Sequence, residues 1–290
     1  MADGLGRARA ARAAGRAVRR GLRARTAQAA QPALVSGPPR IVSLVPSLTE
    51  LLFALDLGPQ VVGRTGFCVH PRDAVRAVPK VGGTKTVDVE KILALRPTHL
   101  VVNVDENEKP TVERLAAQIP NVIVTHPLRA ADSLDLFERF GRAFDRMPQA
   151  ARLTSAWQAA RSEARARQWR ALRVVYLIWK EPWMTVSRDT YIADMLAQVG
   201  LDVVVPASTR RYPEVDWTTL PPGDVDLILF SSEPFRFRDR DTRAFADAHG
   251  LDPRRCLTID GEMTSWYGPR AIDGLRYLGR LRESLEERLA

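Results

Sequence analysis

Residues 149–169 read QAARLTSAWQAARSEARARQW, and this stretch decides how the chain is organised. It lacks Gly and Pro and is rich in Ala and Arg, so it predicts one uninterrupted helix. At about 1.5 Å per residue the helix would be roughly 30 Å long, the width of a small domain. One face would carry the apolar residues Leu153, Trp157, Ala160 and Ala164. Such a helix is typical either of the surface of one domain or of a connection between two lobes.

Strands and helices alternate on both sides of this stretch. Short β-rich runs predict strands at 40–45, 61–63, 99–104, 122–125, 173–178, 227–230 and 256–259. Helices are predicted at 47–58, 88–95, 111–118, 190–199 and 271–290. Ser47 lies three residues before Glu50, the spacing of a capping box at the start of the first helix. Alternation at this spacing favours parallel sheets covered by helices.

We therefore predict an α/β fold of two β/α lobes, each with a mainly parallel sheet, bridged by one long helix. The N-terminal lobe is expected at 39–147, the bridging helix at 148–170 and the C-terminal lobe at 171–290, after a tail at 1–38. A cleft between two such lobes could bind a bulky ligand.

The net charge of +9 comes mainly from the tail. Residues 1–40 hold nine Arg against one acid, Asp3, which leaves +8 there and +1 in the rest of the chain. We expect this tail to be a disordered extension that fold and ligand binding do not need, and we expect no nucleic-acid partner. Without an apolar run of signal-peptide length the chain is expected in the cytoplasm, or in the periplasm if the true start or export route differs.

The folded part predicts a globular protein. With 290 residues and 45% hydrophobic content the chain can bury one large or two medium cores, and no run approaches the about 18 apolar residues of a membrane span. Cys68 and Cys256 lack a CxxC partner and are expected as free thiols. Cys68 and His70 could both ligate a metal, but a C-x-H pair alone is more typical of polar loop lining, so no metal site is predicted.

Loops that follow the predicted strands carry the candidate ligand-binding residues, because ligands of parallel sheets bind beyond the carboxyl ends of the strands. Aromatic walls with a few polar groups suit a large planar or amphipathic molecule. The candidates are Ser47, Phe67, His70, Asn103, Asp105, Trp179, Glu181, Trp183, Tyr212, Glu233, Glu262 and Trp266.

Trp183 and Glu262 are both expected to face the Ser47 and Phe67 loops of the first lobe, because each follows a predicted strand. For Trp183 the alternative is a place in the core, where aromatic rings are often found.

Four motifs resemble one family. RIVSLVPSLTELLFAL (40–55), VGRTGFCVHP (62–71), KVGGTKTVDVEKILALRPTHLVV (80–102) and WMTVSRDTYIADMLAQVG (183–200) are similar to the cobalamin and iron-chelate binding proteins of ABC importers, the helical-backbone metal receptors. The resemblance covers about 40–285. It implies two α/β lobes bridged by a helix, with cobalamin or another metal chelate held between them, and binding rather than chemistry. It adds Thr84 to the candidate contacts.

The resemblance also implies a transporter partner. Family members contact the membrane subunits of an ABC importer through one Glu on each lobe, and Glu90 matches the first of these. The second position falls near Thr218, which is not an acid, although Glu214 and Asp216 are close in sequence. Uptake through an importer and intracellular handling of the chelate both remain open, and a monomer is expected.

An enzyme is the alternative interpretation. An acid/base pair across the cleft, for instance Glu181 with Glu262 or His126, could act on a bound tetrapyrrole or chelate. The motifs GxSxG, GxxxxGK[ST], HExxH and GxGxxG are absent, and GGTK at 82–85 only resembles a phosphate loop. We therefore predict a binding protein without catalytic residues or a catalytic cofactor.

Overall fold

The computed structural model describes residues 37–206 and 210–289. The expected tail therefore lies outside the described residues, except for its last two positions. Within the described ranges no helix is both long and apolar enough to cross a membrane.

The N-terminal lobe is built on a four-stranded parallel sheet. Its strands are β1 (Ile41–Ser43), β2 (Val61–Arg64), β3 (His99–Asn103) and β4 (Asn121–Thr125), in the order β2-β1-β3-β4. The helices of this half are α1 (Pro46–Ala54), α2 (Arg72–Arg76), α3 (Val89–Ala94), α4 (Lys109–Ala116) and α5 (Asp132–Ala143). All four strands predicted for this lobe are present. The helices α2 and α5 were not predicted from the sequence.

The first helix begins differently from the prediction. Pro46 occupies its first turn and Val45 is the N-cap residue, without a side-chain cap. The predicted capping box of Ser47 and Glu50 is therefore wrong. Proline fits the first helical position because its fixed φ angle suits the helix and its missing N–H would have no partner there. Ser47 thereby becomes a buried residue inside the helix.

The long helix, α6, spans Met147–Ala164. It ends five residues before Trp169, where the stretch without Gly or Pro ends. The side chain of Trp169 folds back, and its indole Nε1 donates to the carbonyl oxygen of Ala164 at 2.9 Å. The predicted apolar face is correct: Trp157, Ala160 and Ala164 are buried, and Leu153 packs against the same core.

The C-terminal lobe carries a five-stranded sheet. Its strands are β5 (Leu172–Trp179), β6 (Met184–Thr185), β7 (Leu201–Val203), β8 (Leu227–Ser231) and β9 (Cys256–Ile259). The order is β6-β5-β8-β9 with β7 also on β5, and only β6 pairs antiparallel. The helices are α7 (Tyr191–Ala197), α8 (Asp239–His249), α9 (Gly261–Ser265) and α10 (Arg270–Leu289). The predicted fold class, an α/β fold of two lobes with mainly parallel sheets, is confirmed.

One apolar core connects the two lobes. Val101 and Ile123 of the first sheet, Tyr176 and Leu229 of the second, and Trp157 of α6 belong to the same buried cluster. Dense packing of this kind resists continuous deformation. The two lobes are therefore joined by a shared, densely packed core.

Candidate ligand site between the lobes

Loops leave the carboxyl ends of the parallel strands in both lobes and meet one another. From the first lobe come 65–71 after β2 and 104–108 after β3, and from the second come 180–183 after β5, 232–238 after β8 and 260–269 after β9. We call the region where they meet the interlobe edge. Polar contacts between side chains join the two lobes in and beside these loops.

The first contact joins His70 to Glu262. The imidazole Nε2 of His70 lies 2.8 Å from Oε2 of Glu262, and the two residues are 192 positions apart. The His70 ring also meets the ring of Trp266 edge-on, with 5.5 Å between the centroids. Glu262 therefore lies against the loop that carries Phe67 and His70.

The second contact is made by Arg211, which reaches two residues of the first lobe. Its Nη2 donates to Oδ1 of Asp105 at 2.5 Å, and its Nη1 lies 2.5 Å from Nε2 of His126. Because a guanidinium has only donors, His126 accepts this hydrogen bond through an unprotonated Nε2. The Asp105 and Arg211 side chains are each about a quarter exposed, 26% and 25%.

The third contact joins Tyr267 to Glu106. The phenol of Tyr267 donates to Oε1 of Glu106 at 2.8 Å. Burial raises the pKa of Glu106 to about 7, and the charges of Asp105 and Glu233 add to this shift, while the hydrogen bond from Tyr267 opposes it. The interlobe edge thus holds a carboxyl group that changes charge near neutral pH.

The fourth contact is a bidentate ion pair. Nε and Nη2 of Arg270 donate to the two carboxylate oxygens of Glu50 at 3.0 and 2.7 Å. The guanidinium also lies 3.7 Å from Glu262 and 5.5 Å from the centroid of the Trp266 ring. Burial raises the pKa of Glu50, and Arg270 opposes the shift.

Glu233 is held in place beside this group. Nε1 of Trp266 donates to Oε2 of Glu233 at 3.0 Å. Burial raises the pKa of Glu233; the bond from Trp266 opposes this shift, and the nearby charge of Glu262 adds to it. Carboxylates thus gather from three loops, and Arg211 and Arg270, which contact them, are each already bound to a carboxylate.

The exposed aromatic rings of the described residues are three of the predicted contacts. Phe67 is 62% exposed, Trp179 41% and Tyr212 40%. Val69 and Val104, which lie in the same loops as His70 and Asp105, are exposed as well. Large apolar side chains left in water beside polar groups are typical of a ligand-binding surface.

Trp183 is placed elsewhere. Its ring stacks on Phe237 at 6.0 Å and meets Phe230 and Phe245 edge-on at 6.2 and 5.2 Å. These contacts lie between the second sheet and α8, so the expectation that Trp183 faces the first lobe is wrong and the core alternative holds. The ring of Trp183 packs back onto its own sheet because the three phenylalanines form an apolar site there.

Other predicted contacts shape the loops themselves. The Asn103 side chain is buried, accepts from the N–H of Asp105 at 2.8 Å and donates to Thr125 at 3.4 Å. The carbonyl oxygen of Thr84 accepts from Nδ2 of Asn107 at 2.9 Å. Ser47 is also buried. Glu181 is exposed, with a φ of 63° that side-chain-bearing residues adopt uncommonly.

Several residues of the interlobe edge were not predicted. Arg211, Arg270 and Glu50 carry interlobe ion pairs, yet no local pattern in the sequence marks them. Glu50 and Arg270 are 220 positions apart, and only the packing of the two lobes brings them together. The sequence offered one signal for Arg211, because this residue directly precedes Tyr212, a predicted ligand contact.

The metal ligand Cys68 and the acid/base partner His126 that the sequence suggested make other contacts. Cys68 is buried and contacts Thr49 and Thr65 at 3.0 and 3.1 Å. Across residues 37–206 and 210–289, His, Cys, Asp and Glu side chains form no group of three or more that could hold a metal ion. His126, suggested as an acid/base partner of Glu181, is held by Arg211 and Asp105 instead.

Glu90 lies on an exposed surface of the first lobe. It is in the first turn of α3, its side chain is 81% exposed, and it accepts a hydrogen bond from Nη2 of Arg114 at 2.8 Å. In the second lobe, Asp216 accepts from both the backbone and the hydroxyl of Thr218, at 3.0 and 2.5 Å. These hydrogen bonds lower the pKa of Asp216.

Comparisons with known proteins agree with this architecture. The sequence profile of the periplasmic binding protein family matches residues 41–248. A vitamin B12-binding protein of Pectobacterium atrosepticum is 26% identical over 244 residues, which cover 81% of this chain and 85% of the relative.

Two solved structures share the fold. The periplasmic vitamin B12 binding protein BtuF of Vibrio cholerae has a TM-score of 0.73 at 18% identity and covers 86% of this chain and 99% of its own. The periplasmic heme-binding protein RhuT of Roseiflexus sp. RS-1 has a TM-score of 0.73 at 22% identity and covers 88% of this chain and 100% of its own. The match to the family profile, which spans both lobes up to the end of α8, shows that the chain belongs to the periplasmic binding protein family and is a binding protein rather than an enzyme.

Proposed function

We propose that this protein binds a corrinoid such as cobalamin at the interlobe edge and delivers it to an ABC importer. The observation that carries the proposal is the set of exposed rings, Phe67, Trp179 and Tyr212, at or beside the ends of strands in both lobes. Tyr212 lies near the carboxylates of Asp105 and Glu106. A corrin ring needs an apolar wall, and its amide side chains need acceptors. The vitamin B12-binding relative supports the same ligand class.

The charges of the interlobe edge favour amides over carboxylates as ligand groups. Arg211 is bound to Asp105 and Arg270 to Glu50, and Glu233 and Glu262 add further negative charge. A haem carries anionic propionates, which would have to displace a carboxylate from one of these arginines. Cobalamin amides would instead donate to carboxylates already in place, and hydrogen bonds to charged groups are stronger than neutral ones.

Calorimetric titrations with cyanocobalamin, haemin and a ferric siderophore test the proposal. We expect cyanocobalamin to bind and the two anionic chelates to bind more weakly. Stronger binding of haemin than of cyanocobalamin would mean that the ligand is a haem and not a corrinoid. Absence of binding by all three at tens of micromolar protein would contradict the large-chelate function itself.

Glu262→Gln is expected to weaken cyanocobalamin binding by about 1 kcal/mol. An amide keeps one acceptor, whereas a charged acceptor exceeds a neutral one only modestly. Calorimetry on this variant beside Glu138→Gln, an exposed control on α5, measures the difference. Equal affinities of Glu262→Gln and the control for cyanocobalamin would mean that Glu262 does not contact the ligand.

Importer contact is proposed to run through Glu90. The side chain is exposed and apart from the interlobe edge, so its replacement should spare ligand binding. We expect Glu90→Arg to abolish uptake of radiolabelled cobalamin by cells while the purified variant binds cyanocobalamin like wild type. Glu138→Arg is the matched control, because Glu138 is also an exposed acid paired with an Arg. Normal uptake with Glu90→Arg would exclude this contact.

The same proposal places the protein outside the cytoplasmic membrane. A relative in Bacillus subtilis, 24% identical over 259 residues, is named an ABC transporter substrate-binding lipoprotein, and the similar BtuF and RhuT structures are of periplasmic proteins. We therefore propose a periplasmic location and not a cytoplasmic one.

A further inference from the structure

The contact between Tyr267 and Glu106 differs from the other three interlobe contacts in chemistry. The other three each include a basic side chain, whereas this contact pairs a phenol with a carboxyl group. Tyr267 is 7% exposed and Glu106 is part-buried. No positive charge is hydrogen-bonded to Glu106 among the contacts found for it, so its ionised form depends on the Tyr267 hydroxyl.

Two carboxylates and two phenols act on Glu106. Asp105 is its neighbour in the same loop, Glu233 approaches from the loop after β8, and Tyr212 and Tyr267 complete the surroundings from the second lobe. The guanidinium of Arg211, which reaches the same loop, is bound to Asp105 and His126. An ionised Glu106 therefore faces the negative charge of Glu233 across the boundary between the lobes, and like charges at close range repel.

We propose that Glu106 is a proton-sensitive tie between the two lobes, which holds the interlobe edge closed when its carboxyl is protonated and loosens it when the carboxyl ionises. Protonation removes the repulsion between Glu106 and Glu233, and the contact with Tyr267 can persist because a carboxyl group keeps an acceptor oxygen. Closure takes up one proton from solvent, and opening returns it.

The direction of the pH dependence follows from the two states. In the closed edge burial raises the pKa of Glu106 to about 7, whereas an edge open to water would return it toward the ordinary value of 4.5. Below the lower value Glu106 is protonated in both states, so closure is at its strongest. The stabilisation is lost as the pH rises from about 4.5 to about 7, because the open state is then ionised while the closed state still holds its proton. Above 7 both states carry the charge, and closure weakens no further. The closing equilibrium can fall at most about tenfold per pH unit in this window.

This tie concerns the protein itself and goes beyond the proposed function, because it does not depend on which chelate binds. It predicts that the protein holds its lobes together more firmly in mildly acidic than in mildly alkaline surroundings. Any ligand that is bound more tightly by the closed edge would be released more readily as the pH rises, by linkage.

Hydrogen exchange of the ligand-free protein between pH 5.5 and 8.5, corrected for the intrinsic pH dependence of exchange, tests the tie. In the wild type we expect loops 104–108 and 260–269, one from each lobe, to lose protection together as the pH rises from 5.5 to about 7, and to change little above 7. In Glu106→Gln, whose amide stays neutral and keeps an acceptor for Tyr267, protection should stay constant. Glu138→Gln, on the exposed face of α5, should behave like the wild type.

Two results would overturn the proposal. One is a pH-dependent loss of protection that is the same in the wild type and in Glu106→Gln. The other is a loss confined to 104–108, which would make the titration a local event within one lobe. If Glu106→Gln does not fold, the wild-type titration alone decides, because a tie between the two loops requires both to lose protection over the same pH range below 7.

Discussion

Replacing Trp183 by Ala is expected to lower the free energy of unfolding by about 3 kcal/mol while leaving affinity for cyanocobalamin nearly unchanged. The ring packs on Phe230, Phe237 and Phe245 between the second sheet and α8. Truncation would leave a cavity there, and the partial exposure of the ring puts the loss at the low end for a buried Trp. Denaturant unfolding beside calorimetry measures the two effects separately.

Trp179→Ala is the matched control, since it removes the same side chain from the other end of the same loop. Trp179 is 41% exposed, with Phe235 as its aromatic neighbour at 5.4 Å. We expect a loss of stability below about 1 kcal/mol and a loss of binding of about 1 to 3 kcal/mol. The opposite pattern, in which Trp179→Ala unfolds early and Trp183→Ala binds poorly, would contradict the placement of both rings.

Glu50→Gln is expected to lower the free energy of unfolding by about 2 kcal/mol at neutral pH. It leaves the guanidinium of Arg270, which is 11% exposed, without its bidentate partner. Fully buried pairs lose about 3 to 5 kcal/mol when one partner is removed. The remaining contact of Arg270 with Glu262 at 3.7 Å and its partial exposure reduce this value.

Glu138→Gln gives the comparison for this ion pair. Glu138 accepts from Arg142 at 2.6 Å, but the two side chains are 55% and 71% exposed. Such surface pairs, four residues apart on a helix, contribute about 0.3 to 0.5 kcal/mol. Equal unfolding midpoints in urea for the two variants would mean that the pair between Glu50 and Arg270 contributes no more than a solvated one.

Most of the secondary structure could be predicted from the sequence. The long helix α6 follows from a stretch without Gly or Pro, and the strands follow from short β-rich runs ended by polar loops. The end of α6 could not be predicted from composition, because it depends on Trp169 folding back onto Ala164. The helix α5 was also missed, although Leu136, Phe137 and Phe140 form a buried face with helical spacing.

The candidate site was predictable only as a set of loops. A strand end tells which loop reaches the interlobe edge, so Phe67, Asp105 and Glu262 could be named in advance. It does not tell which side of the sheet a ring will cover, and Trp183 was therefore misplaced. Pairs such as Arg270 with Glu50 arise from packing between the lobes, for which a single sequence carries no local pattern.

The central claim is that a metal chelate is held between the lobes. A crystal of the protein grown with cyanocobalamin, measured at the X-ray absorption edge of cobalt, locates the metal directly. We predict one anomalous peak at the interlobe edge, between the loop that carries Phe67 and the end of β5 at Trp179. A cobalt peak on the outer surface of one lobe, or none in crystals that contain the ligand-saturated protein, would contradict the account.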